Sequence, residues 1–167
     1  IHAGAALIND ISGGKMDAQM FATVANLQVP YILMHMLGTP QNMQQNPVYS
    51  DVTKEIISFF AAQIHQLHQL KLNDVLIDVG FGFGKTIDHN FELLKNLALF
   101  KSLEVPILTG ISRKSMLYKT LDISAKEALN ATTSANTIAL LNGASILRVH
   151  DVKEAVEAVK IVQKISF

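Results

Sequence analysis

Five short apolar runs recur along the chain, "AALIN", "YILMHM", "VLIDVG", "ILTGI" and "SILRVH", and a helix-length stretch follows each. They begin roughly 26 to 44 residues apart and are rich in aliphatic and β-branched side chains. The helices are expected at about 16–28, 51–71, 89–103, 124–142 and 152–165. Ser50 or Asp51 can cap the second and Asp88 the third, while Ser124 with Glu127 makes a capping box for the fourth. Strands that alternate with helices pair in parallel through right-handed crossovers. An open doubly wound sheet and a (β/α)8 barrel both fit five such units. A complete barrel takes about 250 residues, so these units would be its later part, and the spacing favours that reading.

The termini agree with a partial barrel. Gly4 reads as the stop of a helix whose body is absent, with a strand over 5–8 behind it; "LNGASILRV" repeats the arrangement, Gly143 closing a helix before a strand over 144–149. The chain begins with neither Met nor a signal-peptide pattern, and reads as one domain, 1–167, N-terminally incomplete. Fourteen basic and fourteen acidic side chains cancel, so neither nucleic acid nor an anionic membrane is the expected partner. There is no cysteine, which excludes disulfides and thiolate metal sites and is compatible with a reducing cytoplasm. No apolar run approaches the ~18 residues of a membrane span.

Polar side chains collect where the strands end: Asn9 and Asp10, His35, Asp78, Ser112 with Arg113 and Lys114, and Arg148 with His150. Ligands of α/β proteins bind at that edge, in open sheets and barrels alike. Within "LIDVGFGFGKT" a carboxylate meets three glycines and two phenylalanines. A phosphate loop would need glycine where Val79 stands, and a dinucleotide fingerprint would need glycine at Lys85. The segment 37–50 is a long irregular connection, rich in amides and pinned by two prolines; such loops are functional or simply solvated. Arg148 and His150 occupy alternate strand positions and should face one way. His35 reads as an internal hydrogen-bonding group, His65 and His68 as surface residues, and Lys85 as a solvated rim lysine.

"INDISGG", "LMHMLGTPQNMQ", "LIDVGFGFGKT", "TGISRKSM" and "ILRVHDVKEA" lie in this order across nearly the whole chain, each at a strand end. The combination resembles the dihydropteroate synthases, the pterin-binding enzymes of folate biosynthesis. That resemblance implies a (β/α)8 barrel of which this chain would hold strands four to eight. It implies displacement of pyrophosphate from 6-hydroxymethyl-7,8-dihydropterin pyrophosphate by the amine of p-aminobenzoate. Asp78 would take the paired N–H donors of the pterin edge through charge-assisted bonds. Asn9 would serve another part of the ring, Met34 its apolar wall, and Lys114 its carbonyl and ring nitrogen. Phe83, Ser115 and Arg113 would hold p-aminobenzoate: a ring face, a carboxylate donor at a helix start, and a flanking guanidinium. Phe81 would pack inward. Lys114, Arg148 and His150 would act in catalysis, the last two on the departing pyrophosphate. Mg2+ would come with the pyrophosphate, keeping most of its waters, since no protein-made metal site is spelled out. A homodimer through the last helices is also implied.

The family usually has proline where Val79 stands. Pterin and metal ligands carried on the family's early strands lie outside this sequence, so the chain by itself is expected to be a poor enzyme. Two other readings stay open: the methyltetrahydrofolate-binding domain of a corrinoid methyltransferase, which would not be expected to carry "SRKS" and "RVH", and a non-catalytic pterin-binding fragment.

Overall fold

The computed structural model describes residues 1–43 and 45–165. Strands β1 (Ile8–Asp10), β2 (Tyr31–Met34), β3 (Val75–Asp78), β4 (Ile107–Thr109) and β5 (Ile146–Leu147) form one sheet in sequence order. Every pairing is parallel. The helices are α1 (Met20–Leu27), α2 (Val52–Gln69), α3 (Ile87–Lys95), α4 (Ser115–Thr120), α5 (Leu129–Leu141) and α6 (Val152–Ile165). A 3-10 helix, Leu97–Leu103, follows α3. Four of the five apolar runs contain a strand and the first overlaps one, β1 running one residue past it to Asp10, and at least one helix follows each, as expected of a stretch of (β/α) barrel.

The strands are shorter than the runs that hold them. β1 begins at Ile8, whose N–H donates to the Pro30 carbonyl at 3.0 Å, so residues 5–7 have no ladder to join and stay exposed. At the other end Ser145 N–H donates to Ile107 O (2.8 Å) and Arg148 N–H to Thr109 O (2.9 Å), bracketing the two residues of β5. The expected strands over 5–8 and 144–149 are thereby corrected.

Register decides what each face of the sheet carries. Tyr31, Leu33, Val75, Ile77 and Ile107 face the helices and join Val24, Ile56, Phe60, Leu67, Leu93, Phe100 and Ala139 in one core. Alternate residues point the opposite way. On that second face Asn9 pairs with Ile32 and Ile32 with Leu76, and in the next row Met34 pairs with Asp78 and Asp78 with Leu108. α2 buries Val52, Ile56, Phe60, Ile64 and Leu67, a spacing that keeps one stripe on the sheet. Burying each of those larger side chains is worth about 1.5–3 kcal/mol.

Helix starts depart from expectation in instructive ways. Asp51 caps α2, accepting from Lys54 N–H at 2.9 Å. α3 is capped by Thr86, not Asp88: Thr86 Oγ1 accepts from His89 N–H and His89 Nδ1 accepts from Thr86 N–H, a reciprocal box built with histidine. Ser124 does bond Glu127, through N–H at 2.9 Å and Oγ at 2.7 Å, but in a turn ahead of α5. The stretch 89–103 divides between α3 and the 3-10 helix, and "SMLYKT" forms the short helix α4 directly after the loop behind β4.

Candidate functional site

Asp78 ends β3 with its side chain 1% exposed. Oδ1 accepts from Gly80 N–H at 2.8 Å. Oδ2 lies 2.9 Å from Arg148 Nη2, yet it receives no hydrogen bond from any described residue. The guanidinium balances the charge without pointing an N–H along the line, so this buried oxygen keeps its accepting capacity. Unsatisfied buried acceptors are costly. Here one stands at the edge where α/β proteins bind ligands.

Two glycines make this geometry possible. Gly80 has φ +71, and a Cβ there would lie 2.0 Å from the His35 carbonyl oxygen. At Gly110 a Cβ would come within 2.6 Å of Arg148 Nη2, so the bare backbone of β4's exit lets the arginine cross from β5 to the end of β3. Gly110 is a contributor that reading the sequence missed; a glycine closing a strand was the available signal.

Lys114 N-caps α4, donates to the Phe81 carbonyl, and holds Nζ 4.7 Å over the Phe83 ring, near enough for a cation–π contact. Burial pushes its pKa down to about 8, with the Asp78 charge opposing and Arg148 adding to the fall. Phe83 is half-buried, whereas Phe81 is packed in the core as expected. Ser112 Oγ and His150 Nδ1 are 2.9 Å apart, and His150 N–H donates to the same hydroxyl at 3.2 Å. Gly110, Ser112, Lys114, Arg148, Val149 and His150 line a pocket of about 190 Å3. Asp78, Phe83, Lys114, Arg148 and His150 thus stand in one neighbourhood. Met34, fully buried, is Asp78's partner in the ladder. Asn9 is exposed on the same face, one row back, and half-buried Ser115 opens α4.

Two expectations meet a different geometry. Arg113, at φ 54, gives Nε and Nη2 to the Asp151 carboxylate at 2.9 and 2.8 Å, and Nη1 to the carbonyls of Ala125 and Lys126. Its guanidinium ties the Asp151 carboxylate, just ahead of α6, and the turn before α5 to the "SRK" loop. Lys85 is not solvated: it is 3% exposed, and Nζ donates to the carbonyls of Gly80 (3.0 Å), Phe83 (3.0 Å) and His35 (3.3 Å) and lies 3.1 Å from His35 Nδ1. Burial pushes its pKa down to about 7, opposed by Asp78 and assisted by Lys114 and Lys15. His35 is internal, as expected, its pKa driven down to about 2 by burial and then by the charges of Lys85 and Lys15. His65 and His68 are exposed.

Asp10 makes a useful contrast. Its carboxylate accepts from Ser12 N–H (2.8 Å), Ser12 Oγ (2.6 Å), Gly14 N–H (2.6 Å) and the Tyr31 hydroxyl (2.6 Å). It is saturated by its own loop and the neighbouring strand. Among the described residues no three His, Cys, Asp or Glu side chains could together hold a metal ion, and no helix is long and apolar enough to cross a membrane.

The sequence profile of the pterin binding enzymes matches residues 1–150. The chain is 42% identical over 162 residues to the dihydropteroate synthase of Escherichia coli K12, covering 96% of this chain and 57% of that protein. The Yersinia pestis dihydropteroate synthase, solved with a sulfonamide drug, superposes with a TM-score of 0.94 at 41% identity, over 98% of this chain and 60% of that one. The Thermus thermophilus enzyme in complex with 4-aminobenzoate gives 0.93 at 32% identity, over 99% and 68%. The fold is that of the later part of their TIM barrel, and the chain belongs to the pterin-binding enzyme family.

Proposed function

We propose that this chain supplies the pterin pocket and the leaving-group side of a dihydropteroate synthase. The p-aminobenzoate nitrogen attacks the methylene carbon of 6-hydroxymethyl-7,8-dihydropterin pyrophosphate. A C–N bond forms, the C–O bond to pyrophosphate breaks, and the nitrogen sheds a proton. Asp78 accepts from the pterin's paired N–H groups, Lys114 donates to its carbonyl and ring nitrogen, and Met34 and Asn9 complete the ring's surroundings. Arg148 and His150 stabilise charge on the departing oxygen. Phe83 and Ser115 receive p-aminobenzoate, and Arg113 serves that subsite by holding the loop that carries Lys114 and Ser115. Mg2+ enters with the pyrophosphate as part of the substrate. We place the reaction in the cytoplasm, which suits a cysteine-free chain, and assign the whole enzyme a homodimer through α5 and α6, where Ile138, Leu141 and Ile161 are exposed.

One observation carries the reading: a buried carboxylate oxygen without a hydrogen bond, flanked by two cations, at the ligand-binding edge. Relatives solved with 4-aminobenzoate and with 6HMPPP support it. The test is Asp78→Asn in the full-length protein. The amide keeps the shape but turns one acceptor into a donor facing a donor, and loss of a charged hydrogen bond costs about 1.5–3 kcal/mol. Calorimetric titration should show pterin pyrophosphate binding weakened at least about tenfold. Wild-type affinity in a folded Asp78→Asn protein would make Asp78 a turn-former and sink the assignment.

A further inference from the structure

Lys85 raises a question that the reaction leaves open. A buried ammonium loses several kcal/mol of hydration, and an apolar side chain would fill the same space. What the cation does that a methionine could not is hold carbonyls: Gly80 and Phe83 from the loop behind β3, and His35 from the end of β2. Each held group leads directly to the site. Gly80 turns its N–H onto Asp78 Oδ1. Phe83 carries the ring beneath Lys114 Nζ. His35, one residue past the end of β2, ties the loop to the exit of the strand paired with β3.

We infer that Lys85 is a positioning residue that aligns the pterin carboxylate and the p-aminobenzoate-facing phenylalanine together, by pinning the 80–84 loop to the end of β2. This rests on the functional reading above. Lys85 touches no reacting atom, so its loss should appear in the binding of both substrates and far less in the chemical step. The test uses the full-length protein with Lys85→Met, which keeps the stem and deletes the donors, after circular dichroism has checked its folding. KM should rise about tenfold for both substrates while kcat moves much less, the pattern of lost uniform binding. A residue that only stabilised the fold would lower the unfolding temperature and leave both KM values in place, and that result overturns the inference. If Lys85→Met does not fold, Lys85→Gln, whose two N–H donors sit on a shorter stem and cannot hold all three carbonyls, should raise both KM values in the same direction by less, and unchanged values overturn the inference. Failure of both to fold assigns Lys85 to the core and equally overturns it. An unmodified protein that neither binds pterin pyrophosphate nor turns over sinks the functional reading, an outcome visible before any variant is made.

Discussion

Asp10 and Asp78 both end a strand, both are buried, and they face opposite ways. Asp10 lies in the row of Leu33 and Ile77, toward the helices, while Asp78 lies in the row of Met34 and Leu108. A single step of register separates a carboxylate that braces a loop from one that is left to bind. The bracing one should be felt in acid. Burial works to raise the Asp10 pKa, but the bonds from Ser12, Tyr31 and Gly14 outweigh it and hold the carboxyl below its ordinary value. A folded value below the unfolded one, about 3.9, gives stability that is complete above that pH and is lost as pH falls through the folded pKa. Urea midpoints should therefore decline on acidification below about pH 4, with a shallower decline in Asp10→Asn; equal slopes would remove Asp10 from the account. The strand-end position of both aspartates was legible in the sequence. Which was saturated was not, because Tyr31 reaches Asp10 from the next strand. Lys85 was hidden for the same reason: lysines are almost never fully buried, and its acceptors come from two separate strand ends.

At the scale of elements, the apolar runs gave away the five strands because parallel strands under helices must be continuously apolar. Their ends depended on where a neighbour's carbonyls begin, which composition does not record. Helix starts were harder. Thr86 outcompetes Asp88 since its extended backbone (ψ 171) leaves the side chain free to meet His89 N–H, whereas Asp88 already sits inside the first turn. Replacing Thr86 with alanine should destabilise the chain by about 0.5–2 kcal/mol, and with serine far less. Thermal unfolding of the two variants checks this, and equal midpoints would return the cap to another residue. The six-residue helix α4 is too short to show a periodicity of its own. Its start was legible through "SRKS", which put Ser115 at a helix start, whereas its end at Thr120 was not.

Across the whole molecule, the chain spans 57% of the E. coli relative's length, and β1 and β5 each have one partner in the sheet. Exposed Leu7 and Ile146 stand at those two borders. Unpaired strand edges invite pairing with another chain, so the 167-residue chain on its own should associate. The two borders differ, and both belong to strands running the same way. When β5 of one copy docks beside β1 of the next, the pair again offers a free β1 at one end and a free β5 at the other. Head-to-tail contacts of that kind close only if the rotation happens to complete a ring, and otherwise continue without limit. Sedimentation should then resolve a ladder of sizes lengthening with concentration, instead of one discrete dimer, and a single monomeric boundary throughout would exclude it. In a full-length protein whose barrel closes on itself the ladder should vanish, because the outer edges of β1 and β5 are then each taken by another strand of the same barrel and neither is left to recruit a second copy.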